Sequence, residues 1–176
     1  MMAIEKVSEA NRIYIRKITE EDTNLIVDWR NREDVREHFF FREKFTRQMH
    51  EKWMADKVAT GMVDQFIVCM KEDDRPVGSS YLRDIDRQQG TAEYGIFIGE
   101  ADARGIGLGY EILCATMEYA YEVLGLKKVI ARAISTNTAS IRIFEKYGFT
   151  ITQRIKNVTC TDGRIEEMVM MCHERE

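Results

Sequence analysis

Arg104-Gly105-Ile106-Gly107-Leu108-Gly109 is the stretch on which the fold assignment turns. It follows a strand-like run, Ala92-Glu93-Tyr94-Gly95-Ile96-Phe97-Ile98, and leads into a helix-like run from about Tyr110 to Leu124. Three glycines on alternate residues permit positive φ and let a ligand approach the main chain without meeting a Cβ. A turn of this kind at a helix start points several N–H groups outward, and the helix dipole adds partial positive charge. The pattern predicts a phosphate or pyrophosphate guest, with Arg104 near its edge. A P-loop is excluded because the chain contains no Gly-Lys pair. A dinucleotide fingerprint fails because Tyr110 or Ile112 stands where its last glycine belongs. A glycine-rich turn without a ligand is the alternative.

The 176 residues form a natural single domain, 1–176, with hydrophobic content of 44% and charged content of 32%, ordinary for a globular protein. A net charge of −4 offers no general attraction to nucleic acid or to an anionic membrane. The opening Met1-Met2-Ala3-Ile4-Glu5-Lys6 has no apolar core of signal-peptide length, and no later run is long enough to span a bilayer. Cys69, Cys114, Cys160 and Cys172 form no Cys-x-x-Cys, and His38, His50 and His173 show no ligand spacing. The expectation is a cytoplasmic protein with reduced cysteines and no metal site.

Taken in order, residues 1–11 read as a loose lead-in and Ile13 to Ile18 as a strand. Thr19-Glu20-Glu21-Asp22 reads as a helix N-cap, followed by Leu25, Ile26 and Trp29 on an apolar side. Asp28 to His50 carries nearly balanced charge and predicts a solvated helical surface. Phe39-Phe40-Phe41 within it reads as core or as the wall of a substrate pocket. A second helix is expected from Thr46 to about Thr60 with Met49, Trp53 and Met54 inward. Gln65 to Met70, Val77 to Ile85 and Thr91 to Ile98 read as an antiparallel meander feeding the glycine loop. In the helix after that loop, Leu113, Met117, Ala120 and Leu124 recur at helical spacing, and Gly125 reads as a stop. Val129 to Ile134 is mostly apolar, as a central parallel strand should be. Asn137 opens a helix that ends at Gly148, and two closing strands meet at Asp162-Gly163.

The order β-α-α-β-β-β-α-β-α-β-β, the glycine loop, Asn137, and Glu145-Lys146-Tyr147-Gly148-Phe149 together resemble the GCN5-related N-acetyltransferases over nearly the whole chain. The resemblance implies the α/β acyl-CoA N-acyltransferase fold, a mixed and mostly antiparallel central sheet with flanking helices, and acetyl-CoA as co-substrate. It implies a pantetheine arm held between two splayed strands, here 92–98 and 129–134. Phe97 and Ile98 would then hold the arm through their backbones, and residues Arg104, Gly105, Ile106, Gly107, Leu108 and Gly109 the pyrophosphate. Asn137, Ser140 and Phe144 would complete the cofactor side.

Acetyl transfer to an amine needs a deprotonated nucleophile, a polarised thioester and a departing thiolate. Glu93 is the candidate base, because alternation puts it on the face of Gly95 and Phe97, with Gly95 leaving space beside the carboxylate. A strand-edge surface glutamate is the alternative. Relatives often place a tyrosine before Glu-Lys-x-Gly-Phe as the acid, and this chain has Phe144 there. Helical spacing puts Asn137, Ser140, Phe144 and Tyr147 on one broad face, so Ser140 or Tyr147 is a candidate stand-in, with Ser140 expected to contact the thiol and Tyr147 to be mainly core. The acceptor half, with Trp29-Arg30-Asn31, His50 and Trp53, resembles a branch that acetylates the 4-amino group of a UDP-linked amino-dideoxy sugar. That resemblance puts Arg30, Asn31, His50 and Phe40 near the acceptor, while Tyr94, facing the other way from Glu93 on its strand, reads as packing with a substrate contact as the alternative. Alternatives are a ribosomal-protein N-terminus, an aminoglycoside, or a non-catalytic coenzyme A binding module. The expected partner is thus a small-molecule amine, with the chain a monomer or homodimer.

Overall fold

A computed structural model describes residues 5–175. The strands are β1 (Lys6–Glu9), β2 (Ile13–Lys17), β3 (Asp64–Met70), β4 (Pro76–Asp86), β5 (Thr91–Ile98), β6 (Lys128–Ile134), β7 (Thr150–Thr159) and β8 (Ile165–Glu174). They form one sheet in the order β1-β2-β3-β4-β5-β6-β8-β7. Every neighbouring pair is antiparallel except β5 and β6. The mixed, mostly antiparallel sheet expected from the pattern is what forms. The lead-in is corrected in part: Lys6–Glu9 is a strand, because its main chain pairs with the edge that β2 would otherwise leave open.

Five helices cover the sheet: α1 (Thr23–Asn31), α2 (Glu33–Arg36), α3 (Arg47–Trp53), α4 (Leu108–Glu118) and α5 (Thr138–Tyr147). β2 shows why both faces need cover. Ile13 and Ile15 join the α4–α5 core, while Tyr14 between them joins the α1–α2 core with Trp29 and Ile67. Alternate side chains of one strand are thus buried on opposite faces. The Thr19 N–H donates to Asp22 Oδ2 at 2.8 Å, closing the turn that precedes α1. Asn137 caps α5 by accepting from the Ser140 N–H at 3.3 Å, and Gly148 ends it with φ of 115°.

The segment from Asp28 to His50 is not the solvated helical surface its charge predicts. Trp29, Val35, Arg42 and His50 are buried there. The expected second helix runs as α3 and then as a wider turn over Met54–Val58. Met49 is 39% exposed rather than inward, since the α3 face toward the core is taken by His50.

β5 and β6 pair only from Thr91↔Lys128 to Tyr94↔Ala131. Beyond Tyr94 the two strands part, leaving the Gly95–Ile98 half of β5 without a partner on that side. This opening carries the site.

Candidate active site

The glycine loop joins the turn Ala101–Ala103 to α4. Gly105 and Gly107 stand at φ of 72° and 87°, in the left-handed region where a Cβ is costly. Gly109 has a different reason: a Cβ there would come within 2.7 Å of Ile143 Cδ1, so it lets α4 close on α5. Among the described residues, none accepts a hydrogen bond from the N–H groups of residues 105–107. Leu108 and Gly109 lie in the first turn of α4, where no intrahelical partner exists. Five donors without a protein acceptor among the described residues, at a helix N-terminus, fit a pyrophosphate such as that of acetyl-CoA.

Arg104 is not at the loop's edge as expected. Its guanidinium turns back to the Ile98 carbonyl (2.9 Å) and the Gly99 carbonyl (3.1 Å), and pairs with Asp34 of α2. Those carbonyls lie where β5 has lost its β6 partner, and Arg104 supplies the missing donors. The cation beside the loop is Arg12, whose Nη2 donates to the Ile106 carbonyl at 2.8 Å and whose Nε pairs with Glu111 at 2.6 Å. It joins the loop only in three dimensions, and neither spacing nor periodicity marks it.

A cavity of about 520 Å³ opens at the strand seam. Tyr94, Asn137, Ser140 and Phe144 line it, as do Arg30, Phe39, Phe40, Phe41, His50, Trp53 and Phe97, with Phe97 on the side of Phe39. Phe144 packs edge-on to Tyr94 with ring centroids 5.9 Å apart. The Tyr94 hydroxyl is buried without a hydrogen-bond partner, and burial pushes its pKa well above the ordinary phenol value. Ile98 does not line the cavity; its carbonyl is held by Arg104.

Glu93 is buried at the seam. One carboxylate oxygen takes the Arg83 guanidinium and the other lies 3.3 Å from Arg132 Nε. The pairing follows from register: Arg83 lies opposite Glu93 on β4, and Arg132 lies two residues beyond its β6 partner Ile130. Gly95 does not leave open space beside the carboxylate. Tyr81, its β4 partner, lays its ring where a Cβ would be, and any side chain at 95 would collide with it. Tyr81, Arg83 and Arg132 all line the cavity. Sequence reasoning missed these three: Arg83 meets Glu93 only through the β4–β5 register, which shifts between Arg83 and Asp86.

Arg30 lies with its Cζ 3.5 Å from the Phe39 ring centroid and 5.1 Å from that of Phe45. Its Nε is buried without a partner, and burial pushes its pKa down to about 10. His50 donates or accepts at Thr23 Oγ1 through Nδ1 (3.1 Å), while Nε2 has no partner. Burial lowers its pKa, so the imidazole is neutral at pH 7.

Two expected site residues fall elsewhere. The Asn31 amide is consumed by main chain, donating to the Val27 and Phe45 carbonyls and accepting from the Phe45 N–H at 2.8 Å. It ties the Phe45 segment to α1 and does not line the cavity. Tyr147 keeps nearly the angular face of Ser140 but lies seven residues, about 10 Å, further along α5, beyond the end of the cavity. It packs against Phe149 and His173 beside a separate groove.

No helix among the described residues is long and apolar enough to cross a membrane. Residues 12–150 match the acetyltransferase (GNAT) domain family. An uncharacterised protein of Methanocaldococcus jannaschii is 29% identical over 85% of this chain, which spans 30% of that protein's length. The uncharacterised N-acetyltransferase p20 of Bacillus licheniformis is 23% identical over 90% of both chains. Alpha/beta-tubulin-N-acetyltransferase 9 of Drosophila melanogaster is 30% identical over 73% of this chain and 70% of its own. The spermidine N-acetyltransferase of Vibrio cholerae, solved in complex with CoA and spermine, superposes with a TM-score of 0.85 over 93% of this chain and 95% of its own, at 17% identity. With an unpartnered donor loop, a parted strand pair and a matching domain, the chain belongs to the GNAT acetyltransferase family, whose fold uses acetyl-CoA, and is an N-acetyltransferase domain.

Proposed function

We propose that the cavity receives the primary amine of a nucleotide-linked amino sugar, with the 4-amino group of a UDP-linked amino-dideoxy sugar as the acceptor. The observation that carries this reading is Arg30. Among the described residues no carboxylate pairs with its guanidinium, which lies over Phe39 at the cavity wall. A buried cation without a counter-ion is costly and is relieved by an anionic ligand. The whole lining carries three guanidinium groups, Arg30, Arg83 and Arg132, against the single carboxylate of Glu93. Phosphate suits that balance, and the phenylalanines offer a base or sugar an apolar wall.

Acetyl-CoA, when bound, supplies the acetyl thioester. The N–H groups of 105–109 would hold its pyrophosphate, and the open half of β5 beyond Tyr94 would hold its arm, apart from the Ile98 carbonyl that Arg104 already takes. Glu93 takes the amine proton through water, its two arginine partners fixing the carboxylate in place. Tyr81 narrows the acceptor side of the seam over Gly95. Ser140, on the α5 wall, contacts the thiol; Phe144 contributes shape alone.

Spermidine is polycationic and meets three guanidinium groups, so it is expected to be a poor acceptor despite the shared fold. Thiol release from acetyl-CoA is measured with a UDP-4-amino-4,6-dideoxy sugar, spermidine, an aminoglycoside and an alanine-terminal peptide. Release with the sugar nucleotide supports the reading. Release with spermidine and none with the sugar nucleotide overturns it.

A further inference from the structure

Residues 37–46, between α2 and α3, form no helix or strand of their own. Their main-chain groups still need partners. Arg42 supplies several of them. Its Nη2 donates to the Glu37 carbonyl at 2.8 Å and its Nε to the Phe39 carbonyl at 2.9 Å. The same Nη2 reaches Glu166 Oε1 on β8 at 2.9 Å, and Nη1 stands 3.7 Å from Asp162 Oδ2 in the β7–β8 turn. Two bonds run alongside: the Arg42 N–H donates to Thr161 Oγ1 at 2.8 Å, and the Thr161 N–H donates to the Phe40 carbonyl at 3.0 Å. Arg42 is only 7% exposed, so water and salt weaken this cluster little.

What the cluster holds faces the cavity. Phe39, Phe40 and Phe41 line it from this segment and Met168 from β8. The Phe39 ring is also the platform for Arg30 and lies 5.7 Å from the Phe97 ring at the seam. A line of contacts therefore runs from Glu166 through Arg42 and Phe39 to Arg30. The glycine loop shares none of these contacts.

We infer that Arg42 is a positioning residue for the acceptor, and that through it the β7–β8 turn sets the shape of the acceptor wall. The inference rests on the cavity being the acceptor site proposed above. Without the guanidinium, two carbonyls lose their donor and Glu166 loses its counter-ion, so the segment trades this anchorage for water. The aromatic wall then loosens and Arg30 loses its platform. The donor side, held by local main chain and by Arg12, stays as it was.

The test uses the full chain as Arg42→Ala and Arg42→Lys. Amide hydrogen exchange over residues 37–46 and calorimetry with coenzyme A need no acceptor, and steady-state kinetics use the UDP-4-amino-4,6-dideoxy sugar. In Arg42→Ala, exchange over 37–46 is expected to rise roughly tenfold, and acceptor KM roughly tenfold, with kcat and coenzyme A affinity little changed. The lysine variant, which keeps a donor and a positive charge at the position, is expected to recover part of both. Should Arg42→Ala fail to fold, Glu166→Gln combined with Thr161→Ala weakens the same anchorage from the other side. Unchanged exchange in a folded variant overturns the inference, as does a parallel loss of coenzyme A affinity, which marks general loosening. If the wild-type chain does not turn over the sugar nucleotide, the reading of the acceptor fails on that result alone. The exchange and calorimetry data then decide for or against Arg42.

Discussion

The two sides of the seam are built on different principles. The glycine loop presents groups that belong to the main chain itself, oriented by two positive φ angles and the start of a helix. The acceptor wall presents side chains whose positions depend on residues far away: Asn31 holds Phe45, and Arg42 ties the Phe39–Phe41 segment to the β7–β8 turn. A loop of the first kind is nearly complete once its six residues are given. A wall of the second kind exists only after the chain has closed on itself. Donor binding is therefore expected to survive changes to the acceptor wall, while acceptor binding is sensitive to distant ones.

The largest effect is expected where the two sides meet. Glu93→Gln should lower kcat by about 10²–10⁴-fold while leaving coenzyme A affinity intact, measured by thiol release alongside calorimetry. An unchanged kcat would remove Glu93 from the chemistry and leave it as the counter-ion of Arg83 and Arg132. Next comes the donor side alone. Gly107→Val forces a β-branched residue to φ of 87°. The strain, about 1–3 kcal/mol, should weaken coenzyme A binding by up to about a hundredfold, with little change in acceptor KM once the donor is saturating. Equal weakening of both would show that the two sides are not independent.

Arg30→Gln probes the acceptor side alone and should raise the sugar-nucleotide KM about tenfold, while any turnover of spermidine rises rather than falls. The smallest effect concerns pH. His50 is buried at the wall and its folded pKa lies below the unfolded value of about 6.5. The unfolded chain therefore binds a proton that the folded chain does not, and stability declines as pH drops from about 6.5 toward the folded pKa. Urea denaturation of His50→Gln between pH 7 and 5 should show a shallower decline than the parent chain. Identical slopes would mean that other groups set the pH dependence.

The legible part of the chain was the part governed by period and by backbone chemistry. Alternation identified β2, a mostly apolar run identified β6, a turn signal marked the closing pair, helical spacing identified α4 and α5, and Asn137 and Gly148 marked the ends of α5 because caps are local devices. The strand at Lys6–Glu9 escaped because its pairing, not its composition, makes it a strand. Asp28 to His50 was misjudged for a related reason. Net charge balance cannot distinguish arginines that solvate a surface from arginines that are buried, and Arg30 and Arg42 are of the second sort. Tyr147 shares the angular face of Ser140, but the rise along α5 carries it past the cavity to pack on Phe149 and His173.

Read alone, the residues of this chain already specify a glycine loop between a strand and a helix, and the element order that makes a mixed sheet. Such features depend on φ preferences and on periods of two and 3.6, which act over a few neighbouring residues. Folding decided the rest: that Arg12 rather than Arg104 stands at the loop, that Tyr81 covers Gly95, and that Glu93 is held between two arginines. Those outcomes depend on register and on contacts between residues tens of positions apart, and a guanidinium pairs with whichever carboxylate or carbonyl the closed chain brings to it.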